Sequence, residues 1–297
     1  MRLVATLVSA RAVRAVDAVT VARAAAVLTA DEIIWLEPEV AVDLVLPVDV
    51  ADPAAIRAKL REILGDAPVD IIVQPVDGRR KRLIVADMDS TMIGQECIDE
   101  LAAEVGLKEH VAAITERAMR GEIAFEPALR ERVALLKGLP EAIATKVIAE
   151  RITLTPGAIT LIRTMRANGG YAALVSGGFT IFTRPIAAMI GFNETHANTL
   201  GVADGKLDGT VADPILGQDA KRMHLLRLAD EKGLAGSETM AIGDGANDLA
   251  MIEAAGLGVA FHAKPAVAAR ASAVVDHADL TALLFMQGYR AADFIEG

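Results

Sequence analysis

Polarity along the first 76 residues changes period several times. Apolar or alternating runs at LVATLV, EIIWLE, VDLVLPV and VDIIVQPV read as strands. Helical spacing lies between them, in an Ala/Val-rich segment near Val13–Leu28 and in DPAAIRAKLREIL. In the second segment Asp52 is placed to cap and Pro53 suits the first helical position. The order strand, helix, strand, strand, helix, strand predicts a ferredoxin-like βαββαβ unit over residues 1–76.

Residues 77–82 read as a linker, because GRRKR is a charge run that solvent would hold. From 83 to 297 apolar strands alternate with helical pattern, which predicts a parallel α/β sheet. The strands are LIVA, YAALV, TMAI and GVAF, with a Gly/Asp-punctuated hairpin at LGVADGKLDGTVA, a helix from Asp219 and a closing helix near Leu280–Met286. Four helices, at about 95–105, 107–120, 125–137 and 140–151, separate the first two strands. That is too much chain for an ordinary crossover. It predicts a helical cap over about 94–153, seated above the strand ends.

Composition narrows the function. The chain is 53% hydrophobic and 24% charged, as a globular protein is, and its net charge of −10 disfavours nucleic acid or a membrane surface as partner. No apolar run has the length of a membrane span, and the charged residues Arg11 and Arg14 stand where a leader's cleavage region would be neutral. Cys97 is the single cysteine, so an oxidising compartment is not required and a cytoplasmic protein is expected.

Polar residues gather where the apolar strands stop. LIVA runs into Asp87 and Asp89, AALV into Ser176-Gly177-Gly178, and TMAI into Gly243-Asp244-Gly245-Ala246-Asn247-Asp248. Ligands bind outside the carboxyl ends of an open parallel sheet, so the three clusters should share one crevice. Residues two apart in an extended chain point the same way, which aims Asp87 and Asp89 together. Several carboxylates at close range need a cation, and an all-oxygen set without His or Cys selects a hard ion such as Mg²⁺. Ser176, the Gly177 and Gly178 amides and Lys221 add anion-binding parts. Together they suit phosphoryl transfer. In that chemistry Asp87 is the nucleophile that forms an aspartyl-phosphate, and Asp89 is the general acid and base. Asp244 and the Asp89 main-chain carbonyl, with Asp87, are the expected metal ligands.

DMDST, SGG, Lys221 and GDGAND, in that order, resemble the four motifs of the haloacid dehalogenase (HAD)-type phosphatases. The likeness covers about 82–297 and extends to the cap segments GQECIDELA, ITERAMRGEIAFEPALRERVALLKGL and RITLTPGA. It implies a HAD-like Rossmannoid sheet, Mg²⁺ dependence and, within the family, the branch acting on O-phospho-L-serine. It further implies that Glu96 meets the substrate ammonium and Arg132 clamps its carboxylate. Ser176, Gly177 and Lys221 hold the phosphate in this likeness, Asn247 stands near it, and Phe125 and Met119 line the cap. The N-terminal unit resembles an ACT domain, although its first strand-to-helix loop lacks glycine, the first of which is Gly65. Packing, or a homodimer through this unit, is its expected role. The alternatives carried forward are a phosphotransferase passing the group to another alcohol such as homoserine, a phosphatase of another small metabolite, and an amino-acid sensor with a vestigial catalytic domain.

Some residues have competing readings. Leu129, Arg132, Val133 and Leu136 form an i, i+3, i+4, i+7 stripe, so Arg132 faces inward, toward either a substrate or an internal carboxylate such as Glu96 or Glu122. Arg130 lies off the stripe and is expected in solvent. Ser90 and Thr91 are placed to cap a following helix, Cys97 to fill the core, and Asp248 to ligate a metal or orient a ligand.

Overall fold

The computed structural model describes residues 2–48, 52–119 and 122–296, with no account of the side chains of Ala118 and Met119. The N-terminal unit comprises β1 (Leu3–Ser9), α1 (Ala18–Leu28), β2 (Glu32–Glu37), β3 (Ala41–Val45), α2 (Pro53–Leu64) and β4 (Val69–Pro75). Its antiparallel sheet has the order β2-β3-β1-β4, the expected ferredoxin-like topology. Asp52 does cap α2, accepting the Ala54 N–H at 2.9 Å. Helix α1 begins later than the Val13 expected. Arg14 adopts a left-handed φ of 54°, and Asp17 caps by accepting the Thr20 N–H.

One face of this sheet packs on its two helices through Leu3, Ala5, Leu7 and Leu44. The other does not face water. Val8, Leu36, Ala41 and Ile72 join the core of the larger body, together with Leu284 and Phe285 of α12 (Ala282–Phe285). Asp70 on β4 reinforces the junction: its carboxylate accepts main-chain N–H groups of Asp276, His277 and Ala278 at 2.9–3.3 Å.

The GRRKR run is only in part the solvated linker its charge suggests: Gly78, Arg80 and Arg82 are exposed, but Lys81 and Arg79 turn inward. Lys81 is buried, its ammonium donating to the carbonyls of Gly78 and Ser237 at 2.8 Å each. Arg79 pairs with the buried Asp43 at 2.7 Å, and Arg80 lies over the Tyr289 ring. Lys81 and Arg79 serve as internal ties because main-chain carbonyls and a carboxylate stand within their reach.

The larger body opens with β5 (Leu83–Ala86), followed by the cap helices α3 (Cys97–Glu104), α4 (Lys108–Met119), α5 (Phe125–Ala134) and α6 (Ile143–Arg151). The chain continues through α7 (Ala158–Ala167), β6 (Tyr171–Phe179), α8 (Thr180–Ile190), β7 (Glu194–Asn198) and the hairpin β8 (Leu200–Ala203) and β9 (Lys206–Val211). It closes with α9 (Gln218–Glu231), β10 (Thr239–Gly243), α10 (Leu249–Ala254), β11 (Leu257–Phe261), α11 (Pro265–Ala268), β12 (Ala273–Val275) and α12. Strands β12-β11-β10-β5-β6-β7 form one parallel sheet. Ala86 pairs with Ile242 on one side and Leu174 on the other, so Asp87, Gly243 and Val175 follow at one level, from which β6 runs on to Phe179. Among the described residues no helix is long and apolar enough to cross a membrane.

Candidate active site

Because β5, β6 and β10 are in register at Ala86, Leu174 and Ile242, the polar residues that follow converge as expected. Asp87, Asp89, Ser176, Gly177, Asp244 and Asn247 line one cleft of about 270 Å³, with Glu96 and Arg132 contributed from the cap side. Two glycines permit the crowding. A side chain at Gly243 would strike Asp248, and a Cβ at Gly178 would lie 3.0 Å from Asp89 Oδ2.

The floor is a charge network. Asp87 is 4% exposed, and its Oδ1 accepts the Met88 N–H at 2.8 Å and the Lys221 ammonium at 2.6 Å. Lys221, brought from the first turns of α9, is itself buried and donates also to Asp248 Oδ1 at 2.7 Å. Burial opposes its charge, but the carboxylates of Asp248 and Asp87 more than offset this and raise its pKa. Asp248 accepts the Gly245 N–H with its other oxygen. Burial and the nearby Asp87 push its carboxyl up to about 7, against the pull of Lys221.

Asp89 turns away from this pair and accepts the Cys97 N–H at 3.3 Å. Desolvation, then Glu96 and Asp87, hold its carboxyl well above the usual range, which favours the protonated acid. Burial and the Asp87 charge also raise Asp244, which accepts the Thr91 hydroxyl at 3.3 Å. Asp87, Asp244 and Asp248 can each present an oxygen with all three atoms within 4.8 Å of one another. An all-carboxylate set whose members raise one another's pKa fits a hard divalent cation. Asp87 and Asp244 stand in this cluster as expected, and Asp248, weighed as a metal ligand or an orienting residue, stands in it with them.

On the cap side, Glu96 precedes α3 and its carboxylate accepts the Ser90 hydroxyl at 2.7 Å. It is open to water yet enclosed by the cleft walls, and that enclosure, with Asp87 and Asp244, raises its carboxyl against the Ser90 bond. Ser90 and Thr91 therefore do not cap a helix; they hold Glu96 and Asp244. Arg132 faces inward as its stripe requires, donating to Thr115 Oγ1 at 3.1 Å and to the Ala128 carbonyl at 3.2 Å. Among the described residues it has no carboxylate within salt-bridge distance, so neither internal partner weighed from the sequence holds it. Burial lowers its pKa, with Asp99 and Glu96 opposing from further away. Arg130 is exposed, as expected, and pairs there with Asp213 at 2.5 Å. Phe125 lies against the bare faces of Gly177 and Gly217. The Met119 side chain lies outside the described residues.

The Gly178 N–H is donated to Ser176 Oγ at 2.9 Å, which leaves the hydroxyl proton and the Gly177 amide as the anion donors of that loop. Asn198, not singled out from the sequence, braces it. The buried amide donates to the carbonyls of Gly177 and Leu216 and accepts the Leu216 N–H. Its strand, ETHAN, carries no apolar period, and the burial of its last residue leaves no trace in the sequence. Lys264, also missed, lines the cleft behind Asp244.

Residues 84–253 match the haloacid dehalogenase-like hydrolase family. The chain belongs to that family. This hydrolase is similar to a phosphoserine phosphatase of Archaeoglobus fulgidus, 42% identical over 227 residues that cover 76% of this chain and 66% of the relative. It spans 53–66% of the length of the first curated relatives it matches. Among solved structures it resembles a probable phosphoserine phosphatase of Vibrio cholerae, unliganded, with a TM-score of 0.78, 32% identity and coverage of 98% of this chain and 88% of that one. A phospho-aspartyl intermediate analogue of phosphoserine phosphatase superposes with a TM-score of 0.64 and 43% identity, over 69% of this hydrolase and 98% of that chain.

Proposed function

We propose that this hydrolase releases L-serine and phosphate from O-phospho-L-serine through an aspartyl-phosphate on Asp87. The observation that carries the reading is the pairing of Asp87, fixed by Lys221 at 2.6 Å, with Asp89, whose carboxyl is held high. Oδ2 of Asp87 attacks phosphorus while the bond to the serine oxygen breaks, and Asp89 protonates that oxygen. Asp89, now a carboxylate, takes a proton from the water that next attacks phosphorus, and the acyl-phosphate bond breaks to restore Asp87. Lys221, the Ser176 hydroxyl and the Gly177 amide hold the phosphoryl oxygens, with Asn247 beside them. A Mg²⁺ ion held by Asp87, Asp244, Asp248 and the Asp89 carbonyl would offset charge between nucleophile and phosphate.

Substrate choice falls to the cap. Arg132 is an inward guanidinium whose hydrogen-bond partners among the described residues are neutral, as those of a clamp for a substrate carboxylate should be, and Glu96 meets the ammonium. Rapid quenching with phosphoserine and Mg²⁺, followed by mass spectrometry, should find a phosphoryl group on Asp87; label elsewhere or nowhere overturns the mechanism. Adding alcohols such as homoserine and finding new phosphoesters would instead establish a phosphotransferase.

We read residues 1–76 as an ACT-like domain whose main role is packing, joined at 77–82 to the HAD-like body with its cap near 94–153. Its inner sheet face is already filled by α12, and the outer edge of β2, with Ile33 43% exposed, is the edge on which a homodimer would form. Sedimentation of the wild type and Ile33→Lys tests this. A cytoplasmic setting fits a chain whose one thiol is buried.

A further inference from the structure

Where the cap leaves the body its two connecting segments run side by side. The Thr155 N–H donates to the Met92 carbonyl, Ile93 faces Leu154 in an antiparallel bridge, and the Gly94 N–H donates to the Thr153 carbonyl. One step further out, side chains close the ladder. Gln95 Nε2 donates to Thr153 Oγ1 at 2.9 Å, and the Thr153 N–H donates to Gln95 Oε1 at 2.9 Å. Both ends of one amide are thus spent on a residue 58 positions away. Beyond this point the segments part, into Glu96 before α3 and Ile152 after α6.

We propose that Gln95 and Thr153 form a clasp that positions Glu96, and so sets how strongly the hydrolase discriminates in favour of an ammonium-bearing phosphomonoester. This rests on the reading of Glu96 given above. Neither clasp residue lines the cleft, so their influence passes through the neighbouring main chain. Cys97 anchors the far side of Glu96 through its N–H to Asp89, and Ser90 holds the carboxylate itself. On the near side Gln95 anchors Glu96, through this clasp and through its carbonyl, which accepts the Ser90 N–H at 3.3 Å. A recognition group tolerates little looseness, on the order of 0.5 Å. Losing the clasp should therefore weaken recognition while leaving the phosphoryl chemistry intact.

The test compares O-phospho-L-serine with p-nitrophenyl phosphate, which carries neither ammonium nor carboxylate, at saturating Mg²⁺. Thr153→Val, an isostere without the hydroxyl, and Gln95→Ala should each raise KM for phosphoserine by roughly five- to tenfold, the range of one lost hydrogen bond. Turnover of p-nitrophenyl phosphate should stay within about twofold. Thr153→Ser should restore the wild-type KM, and the double variant should be no worse than the poorer single one. Equal losses on both substrates, an additive double variant, or no change at all would overturn the proposal. Hydrogen exchange gives a reading independent of substrate: the Thr153 amide should exchange roughly tenfold faster in Gln95→Ala. If the wild type shows no preference for phosphoserine, the assignment of Glu96 fails, whereas unchanged exchange means the clasp itself is wrong.

Discussion

Asp70 offers a direct test of how firmly the N-terminal unit is joined to the catalytic body. Its side chain is 3% exposed, and its oxygens accept N–H groups from Asp276, His277 and Ala278 at 2.9–3.3 Å. A hydrogen bond to a charged group contributes about 1.5–3 kcal/mol. Three such bonds overstate the net effect, because burying the carboxylate has its own cost and water can reach a truncated site. We expect Asp70→Ala to lose about 3–4 kcal/mol of stability. Asp70→Asn, which keeps one acceptor oxygen but turns an amide N–H toward the other donors, should lose about 2 kcal/mol. Urea unfolding reads this with two probes. Trp35 is the single tryptophan and lies on β2, so its fluorescence reports the N-terminal unit while circular dichroism reports the whole chain. The wild-type transitions should coincide, and the fluorescence transition of Asp70→Ala should move first. A loss below about 1 kcal/mol, or Asn proving worse than Ala, would refute the reasoning.

Other outcomes follow from the site. Arg132→Ala should lower kcat/KM on phosphoserine by roughly 10- to 150-fold, the equivalent of one charged hydrogen-bonded contact, with p-nitrophenyl phosphate spared; steady-state kinetics on both substrates decides it. Lys221→Met leaves Asp87 and Asp248 buried without their cation and should cost about 3–5 kcal/mol in thermal or urea unfolding, with Asp248→Asn in the same chain recovering part. Burial, then His196 and Arg227, lowers His224 to about 4. A base depressed in the folded state contributes stability that is lost as pH falls from its ordinary 6.5 toward 4. His224→Gln should flatten that part of the stability profile, and an NMR titration should place the His224 midpoint near 4.

The catalytic body was legible because its apolar strands stop abruptly at charged or glycine residues. Ala86 before Asp87, Val175 before Ser176 and Ile242 before Gly243 mark where a parallel sheet presents its ends. The inward side of Arg132 was equally readable from the spacing of Leu129, Val133 and Leu136. Other features left no such trace. The start of α1 was hidden because apolar Val13 and Val16 continue the helical pattern, and the turn at Arg14 depends on a φ that spacing does not encode. The inward turn of Lys81 within GRRKR was hidden because composition is silent about distant carbonyls such as that of Ser237. The place of Asp248 beside Lys221, and the roles of Ser90 and Thr91, depend on packing between segments far apart in the chain.

Cys97 sits behind the first turn of α3, fully covered, with Asp89 beside it. Burial and the adjacent acids push its thiol far above the ordinary range. Maleimides and mild oxidants act on thiolates, so the native chain should be silent toward both. Cysteines engineered onto exposed surfaces of the cap and the body would then be the reactive ones. Paired spin or dye labels could then report the distance between cap and body without any native residue first being replaced.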